Sequence, residues 1–287
     1  MTLDRRRNAA RPDLADARLK GQITAERFVD GRPARVIAPL APLRRRPASD
    51  APLETEALCG EALTVFEDEG EGWMWVQLAS DRYVGWMPSE AVAFDAAAPT
   101  HIVHAPRTLV FPGPDIKRPP LGGLTMGAGI VAAGAAEDVN GAYILVQPFG
   151  AVVARHCRPV ADAPGADFVG NAEGLMNAPY LWGGKSALGI DCSGLVQLAA
   201  GMAGLALPRD TDMQEAEAGA PLAPGEPMRR GDLVFWKGHV GIMRDARTLL
   251  HANAHHMMVA SEPLATAEAR AAAKGSPITS RRRLSIG

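Results

Sequence analysis

Between Pro33 and Val160 the chain twice runs through the same order of short apolar alternations broken by glycine, proline and polar turns. Segments this short, with a period of two, cannot bury a helical stripe. They require small antiparallel sheets folded on themselves. The first set contains ALTVFEDEGEGWMWVQLASDRYVGWMPSEAV, in which EDEGEG at 67–72 reads as a hairpin connection. In WMWV, Trp73 and Trp75 point to one face, Met74 and Val76 to the other. The second set, from about His101, matches WMWVQ with AYILVQ, as a divergent internal duplication would. Each set is sized for one small β-barrel. The expected organisation is an N-terminal arm over 1–30, forming a short helix or lying on another domain, then barrels over 31–96 and 97–161.

After ADAPGAD at 161–167, which reads as a linker, the pattern becomes α+β over 162–287. DFVGNAEGLM predicts a helix with Phe168, Ala172 and Leu175 on one face. CSGLVQLAAGMAGL predicts a buried helix. DLVFWKGHVGIMRD, TLLHANAHHMMVA and ITSRRRLSI read as strands, and SEPLATAEARAAAKG as a helix with Ser261 as N-cap and Gly275 at its stop.

Three cysteines in 287 residues, Cys59, Cys157 and Cys192, are too few and too dispersed for a disulfide framework. A formal net charge of −2 makes the chain a poor candidate for sequence-independent nucleic-acid binding, which depends on a strongly basic face. No apolar run is long enough to span a membrane, and the N-terminus lacks the apolar core of a secretory signal. The expected compartment is the cytoplasm.

Cys192 stands apart from the other two. Asp191 is a good N-cap type, so Cys192 falls in the first helical turn, beside unpaired N–H groups and the positive dipole end. That position favours a thiolate and an oxyanion site. A cysteine nucleophile needs a base, and the base an orienting partner. His239 in GHVGI and His251 in LLHAN lie on adjacent strand-like segments joined by RDARTL; antiparallel pairing would bring the two imidazoles together. HANAHH has neither the HExxH spacing nor a carboxylate within it, so no metal is expected. Trp182 and Trp236 are expected to pack against the helix.

The motifs PYLWGG, DCSGLV, LPRDTDMQ, GDLVFW, GHVGI and LLHAN, in this order, resemble the NlpC/P60 cysteine peptidases, which have a papain-like core. PLRRRP, CGEALTV, WMWVQ and YVGW resemble bacterial SH3-like (SH3b) domains. The combination is similar to the murein-peptide-recycling γ-D-glutamyl-L-diamino acid endopeptidases. The resemblance implies Cys192 as nucleophile, His239 as general base, His251 as its orienting partner and Tyr180 beside the tetrahedral intermediate. It implies substrate contacts from Asp191, Ser193 and Thr211. Tyr83 and Glu54 of the first barrel would bind the free amine of an N-terminal L-alanine, with Glu56 and Glu61 close by in sequence. No cofactor is implied, and the partner is a short murein peptide carrying diaminopimelate or lysine. Action on intact murein, and a silent peptide-binding protein of the same fold, are the alternatives.

Overall fold

Alternating apolar residues fold the N-terminal half into antiparallel sheets, as period-two patterns must. The computed structural model describes residues 3–162 and 167–285, so most of the expected linker lies outside the described residues. The chain divides into two units, Met1–Asp162 and Ala163–Gly287.

The first unit begins with a parallel pair, β1 (Leu14–Asp16) and β2 (Arg27–Val29). A seven-stranded sheet follows from β3 (Arg32–Val36), β4 (Leu40–Arg44), β5 (Leu53–Leu58), β6 (Ala62–Asp68), β7 (Trp73–Leu78), β8 (Val84–Pro88) and β9 (Val92–Ala93). Its strand order is β5-β4-β8-β7-β6-β3-β9. Met74, Val76 and Leu78 of β7 enter a core with Leu43, Val65, Tyr83 and Met87. Trp75 faces the other way, with Phe66 and Trp86, and is covered by Ala9 and Leu14 of the N-terminal segment. That segment is held by Arg11, whose guanidinium lies 4.4 Å from the Trp75 ring centroid and pairs with Glu67. The arm forms β1, β2 and a single 3-10 turn where a helix was one expectation.

The next eight strands are β10 (His101–Val103), β11 (Arg107–Phe111), β12 (Gly122–Thr125), β13 (Gly129–Ile130), β14 (Ala132–Asp138), β15 (Gly141–Val146), β16 (Ala151–Val153) and β17 (Cys157–Pro159). Their sheets run β12-β11-β16-β15-β14 and β13-β10-β17. Reading β13 and β14 as one interrupted strand, this is the order of the first sheet again. The shared order is a stronger sign of duplication than the slight sequence identity.

The second unit starts with α1 (Phe168–Glu173), whose Phe168, Val169 and Ala172 are buried. A glycine-rich loop carries the short pair β18 (Lys185–Ser186) and β19 (Gly189–Ile190). Then come α2 (Cys192–Met202), α3 (Thr211–Glu217) and β20 (Ala220–Pro221). The remaining elements are β21 (Asp232–Trp236), β22 (His239–Met243), β23 (Thr248–Asn253), β24 (Met258–Pro263), α4 (Leu264–Ala272) and β25 (Ile278–Arg283). The sheet order is β20-β25-β21-β22-β23-β24. TLLHANAHHMMVA is thus two strands, turned back at 254–257, where Met257 takes a left-handed φ of 54°. Ser261 lies within β24 and does not cap α4; Pro263 holds that position without a side-chain cap. Among the described residues no helix is long and apolar enough to cross a membrane.

Candidate active site

Asp191 organises the loop in front of α2. Its Oδ1 accepts from the Gly194 N–H at 2.7 Å and caps the helix, while Oδ2 accepts from the Gly183 N–H at 2.9 Å. Arg209, 1% exposed, donates to both oxygens, at 2.9 and 2.7 Å, and also to the Ser193 hydroxyl. The backbones here approach very closely. A Cβ on Gly194 would lie 2.4 Å from the Gly184 carbonyl oxygen, so a side chain at that position would push the loop off the helix. Asp191 and Ser193 are both buried, and their side chains hold this loop together.

The result is a fixed Cys192 at the first position of α2. Gln214 donates to the carbonyls of Ser193 and Pro208, at 2.9 Å each, and ties α3 to α2. This sets the Thr211 hydroxyl 3.8 Å from the Cys192 sulfur. The Val240 N–H, next to His239, also donates to that sulfur. Tyr180 pairs through its backbone with Ile190, and its hydroxyl feels the charges of Cys192 and Asp191. Burial, first, and then those charges push the Tyr180 hydroxyl above the ordinary phenol range. The N–H groups of Cys192 and Ser193, in the first turn, have no intrahelical acceptor and are available to an oxyanion.

The antiparallel pairing of β22 with β23 joins the two histidines as expected. His239 Nε2 and His251 Nδ1 are 2.9 Å apart. The chain of contacts continues beyond the expected pair. His251 Nε2 lies 2.9 Å from Glu262 Oε1, and Arg270 of α4 pairs with both Glu262 oxygens. The Arg270 hydrogen bond, with the one from His251, brings the Glu262 carboxyl down to about 2. Glu262 is therefore ionised and can only accept. His251 must carry its proton on Nε2, which leaves Nδ1 as an acceptor. His239 in turn donates from Nε2, and its Nδ1 holds the free lone pair.

The electrostatics correct one expectation. Burial pushes the Cys192 thiol up to about 11, and the Asp191 carboxylate adds to it; the Val240 and Thr211 hydrogen bonds oppose them. Burial also takes His239 down to about 3, helped by the neighbouring His251 and Arg270. The resting pair is a neutral thiol and a neutral imidazole.

Arg209, Gln214, Glu262 and Arg270 were not singled out from the sequence. The first two lie within LPRDTDMQ, a polar stretch in which nothing local marks them apart from their neighbours. Glu262 and Arg270 meet only because β24 turns directly into α4. Trp236 is buried, but Trp182 is 71% exposed and does not pack on the helix. His251, His256 and Glu262 present ligand atoms within 4.8 Å of one another, yet both His251 nitrogens and the Glu262 carboxylate are already engaged as above.

In the first unit, Tyr83 is buried in the sheet core, and Glu54 on β5 is ion-paired with Arg45. Arg45 also feels the Tyr83 hydroxyl, so the two residues share one neighbourhood around that guanidinium.

Residues 177–271 match the NlpC/P60 family, and residues 43–92 match the bacterial dipeptidyl-peptidase SH3 domain. Dipeptidyl-peptidase 6 of Lysinibacillus sphaericus is 29% identical over 76% of this chain and 86% of its own. A γ-D-glutamyl-L-lysine dipeptidyl-peptidase of Bacillus subtilis is also 29% identical, over 71% and 73%. The crystal structure of an NlpC/P60 family protein from Bacillus cereus shares the fold, with a TM-score of 0.73 and 21% identity over 89% of this chain and all of that one. The chain carries an NlpC/P60 cysteine peptidase domain, matched over residues 177–271, and ahead of it a bacterial SH3 domain, matched over residues 43–92.

Proposed function

We propose that the enzyme cleaves the γ-D-glutamyl bond to a diamino acid in short murein peptides with a free N-terminal L-alanine, and that it acts in cytoplasmic recycling of cell-wall peptides. The observation that carries this is the His239–His251–Glu262 relay on the strand whose Val240 N–H donates to the Cys192 sulfur, in a chain similar over most of its length to two named dipeptidyl-peptidases.

The Cys192 proton passes to His239 Nδ1 as sulfur attacks the γ-carbonyl carbon, which suits a pair that rests neutral. The oxyanion is held by the Cys192 and Ser193 N–H groups and the Tyr180 hydroxyl. The C–N bond then breaks, and His239 returns the proton to the leaving amine. Water attacks the thioester carbonyl, giving one proton to His239; the C–S bond then breaks, the glutamyl acid leaves, and His239 returns the proton to the Cys192 sulfur. His251 and Glu262 stabilise the transient imidazolium and keep its orientation. Thr211 braces the sulfur, and Asp191 and Ser193 present the end of α2 to the substrate. Tyr83 and Glu54 receive the L-alanine ammonium, with Glu54 exchanging Arg45 for it. A half-buried acid of this kind disfavours a blocked amine, because the carboxylate would lose its cationic partner.

Mass spectrometry of the protein with L-Ala-γ-D-Glu-meso-diaminopimelate, its N-acetyl form and intact murein tests the proposal. Release of the free diamino acid from the unblocked peptide alone, abolished in Cys192→Ala, is the expected result. Equal cleavage of the acetylated peptide or of murein removes amine recognition and favours a general wall hydrolase.

A further inference from the structure

The mechanism leaves one feature beside the histidine pair unused. A pocket of about 280 Å³ is lined by His239 and His251 together with Trp236, His255, Arg270 and Lys274. It contains two permanent cations and no carboxylate among its lining residues. The two cations differ. Arg270 is neutralised by Glu262, as described above. Lys274 is exposed and, among the described residues, pairs with no acid. Trp236 adds a buried indole N–H with no hydrogen-bond partner. A pocket with a net positive wall and spare donors is complementary to an acceptor-only anion, the carboxylate.

The position of the pocket says which part of a substrate would reach it. His239 protonates the departing amine, so the leaving residue must lie on the His239 side of the sulfur. We propose that this pocket binds a carboxylate of the leaving diamino acid, and that Lys274 selects a side chain ending in a carboxylate over one ending in an ammonium. The inference rests on the γ-D-glutamyl bond specificity proposed above. The distal carbon of diaminopimelate bears a carboxylate beside its ammonium, so that end is zwitterionic and offers Lys274 an anionic partner; the lysine side chain ends in an ammonium alone, which Lys274 would repel. The preference would be opposite to the lysine in the name of the Bacillus subtilis relative.

The test compares kcat/KM for three tripeptides of the L-Ala-γ-D-Glu series, ending in meso-diaminopimelate, in its distal carboxamide and in L-lysine. The full-length protein is measured against Lys274→Ala and Lys274→Glu, both surface changes. The expected order is diaminopimelate, then carboxamide, then lysine. Lys274→Ala should lower the first by about tenfold and spare the lysine peptide, and Lys274→Glu should invert the order. A diaminopimelate-to-lysine ratio that neither variant changes overturns the pocket's role while leaving the bond specificity intact. If no tripeptide is cleaved, the bond specificity fails. The pocket is then judged by calorimetric titration of free meso-diaminopimelate into Cys192→Ala protein: binding weakened by Lys274→Glu supports an anion site, and binding that is absent or indifferent to that change overturns it.

Discussion

Glu262 and His251, joined by a 2.9 Å hydrogen bond, decide which nitrogen of His239 is basic. Because the carboxylate can only accept, the proton positions of both imidazoles follow from it in sequence, and the free lone pair emerges at His239 Nδ1. Glu262 thus acts through two other side chains. It is a positioning residue, anchored from α4 by Arg270.

Glu262→Gln tests this relay. The amide can donate to His251 Nε2 and reverse both tautomers, which would put a proton on the nitrogen that must take one. We expect kcat to fall by about 10²–10⁴ with KM little changed, by analogy with the tautomer-reversing substitution known for serine protease triads. Glu262→Asp should recover part of the loss. A KM effect with kcat preserved would show that Glu262 serves binding and not proton placement.

Arg209 and Asp191 form a second, structural relationship at the head of α2. Removing the guanidinium leaves a buried carboxylate without its bidentate partner. Arg209→Met should therefore destabilise the peptidase unit by about 3–5 kcal/mol. Arg209→Lys should recover part of that but lose the two-point grip. Denaturant unfolding followed by hydrogen exchange of the 192–202 peptide would measure it. A loss under about 1 kcal/mol would mean that the Gly183 and Gly194 N–H groups suffice to hold Asp191.

The strands and the nucleophile's helix were legible in the sequence because their signals are local. WMWV declares its two faces, and Asp191 precedes an apolar run as a cap should. The pairing of His239 with His251 was also readable, since a short connection between two strands leaves few registers. What stayed hidden depends on contacts between distant elements. Glu262 looks like an ordinary strand-end acid until α4 folds Arg270 over it. The break after Asn253 was missed because HANAHHMMVA keeps apolar residues through the turn. The thiol's environment was misjudged for a related reason: a helix N-terminus is visible in sequence, whereas the burial that pushes the thiol up is not.

Alkylation reports that ionisation directly. With the thiol pushed up to about 11, Cys192 should react slowly with iodoacetamide at pH 7.5, and its rate should still be rising above pH 9. Peptide mapping by mass spectrometry separates it from Cys157, which burial also takes up to about 11. An inflection for Cys192 below pH 7.5 would instead reveal a resting thiolate–imidazolium pair and overturn the neutral ground state.

The same burial makes the fold acid-sensitive, and the sign can be worked out. His239 and His251 lie at about 3 and about 4 in the folded protein, against an ordinary 6.5, because both are desolvated. Above pH 6.5 folded and unfolded chains are alike at these sites, and nothing is lost. Below it the unfolded chain binds protons that the folded chain refuses, so stability falls as pH drops from about 6.5 towards 4. Glu262 acts in the same direction but lower. Its pairing with Arg270 and His251 stabilises the fold above the ordinary 4.5, and that is lost as pH falls towards about 2. The urea midpoint of the peptidase unit should therefore decline between pH 7 and 5, a range where Glu262 contributes little. Replacing both histidines, His239→Gln with His251→Gln, should flatten that decline even if the variant is less stable at pH 7. An unchanged slope would assign the acid sensitivity to groups other than the catalytic pair.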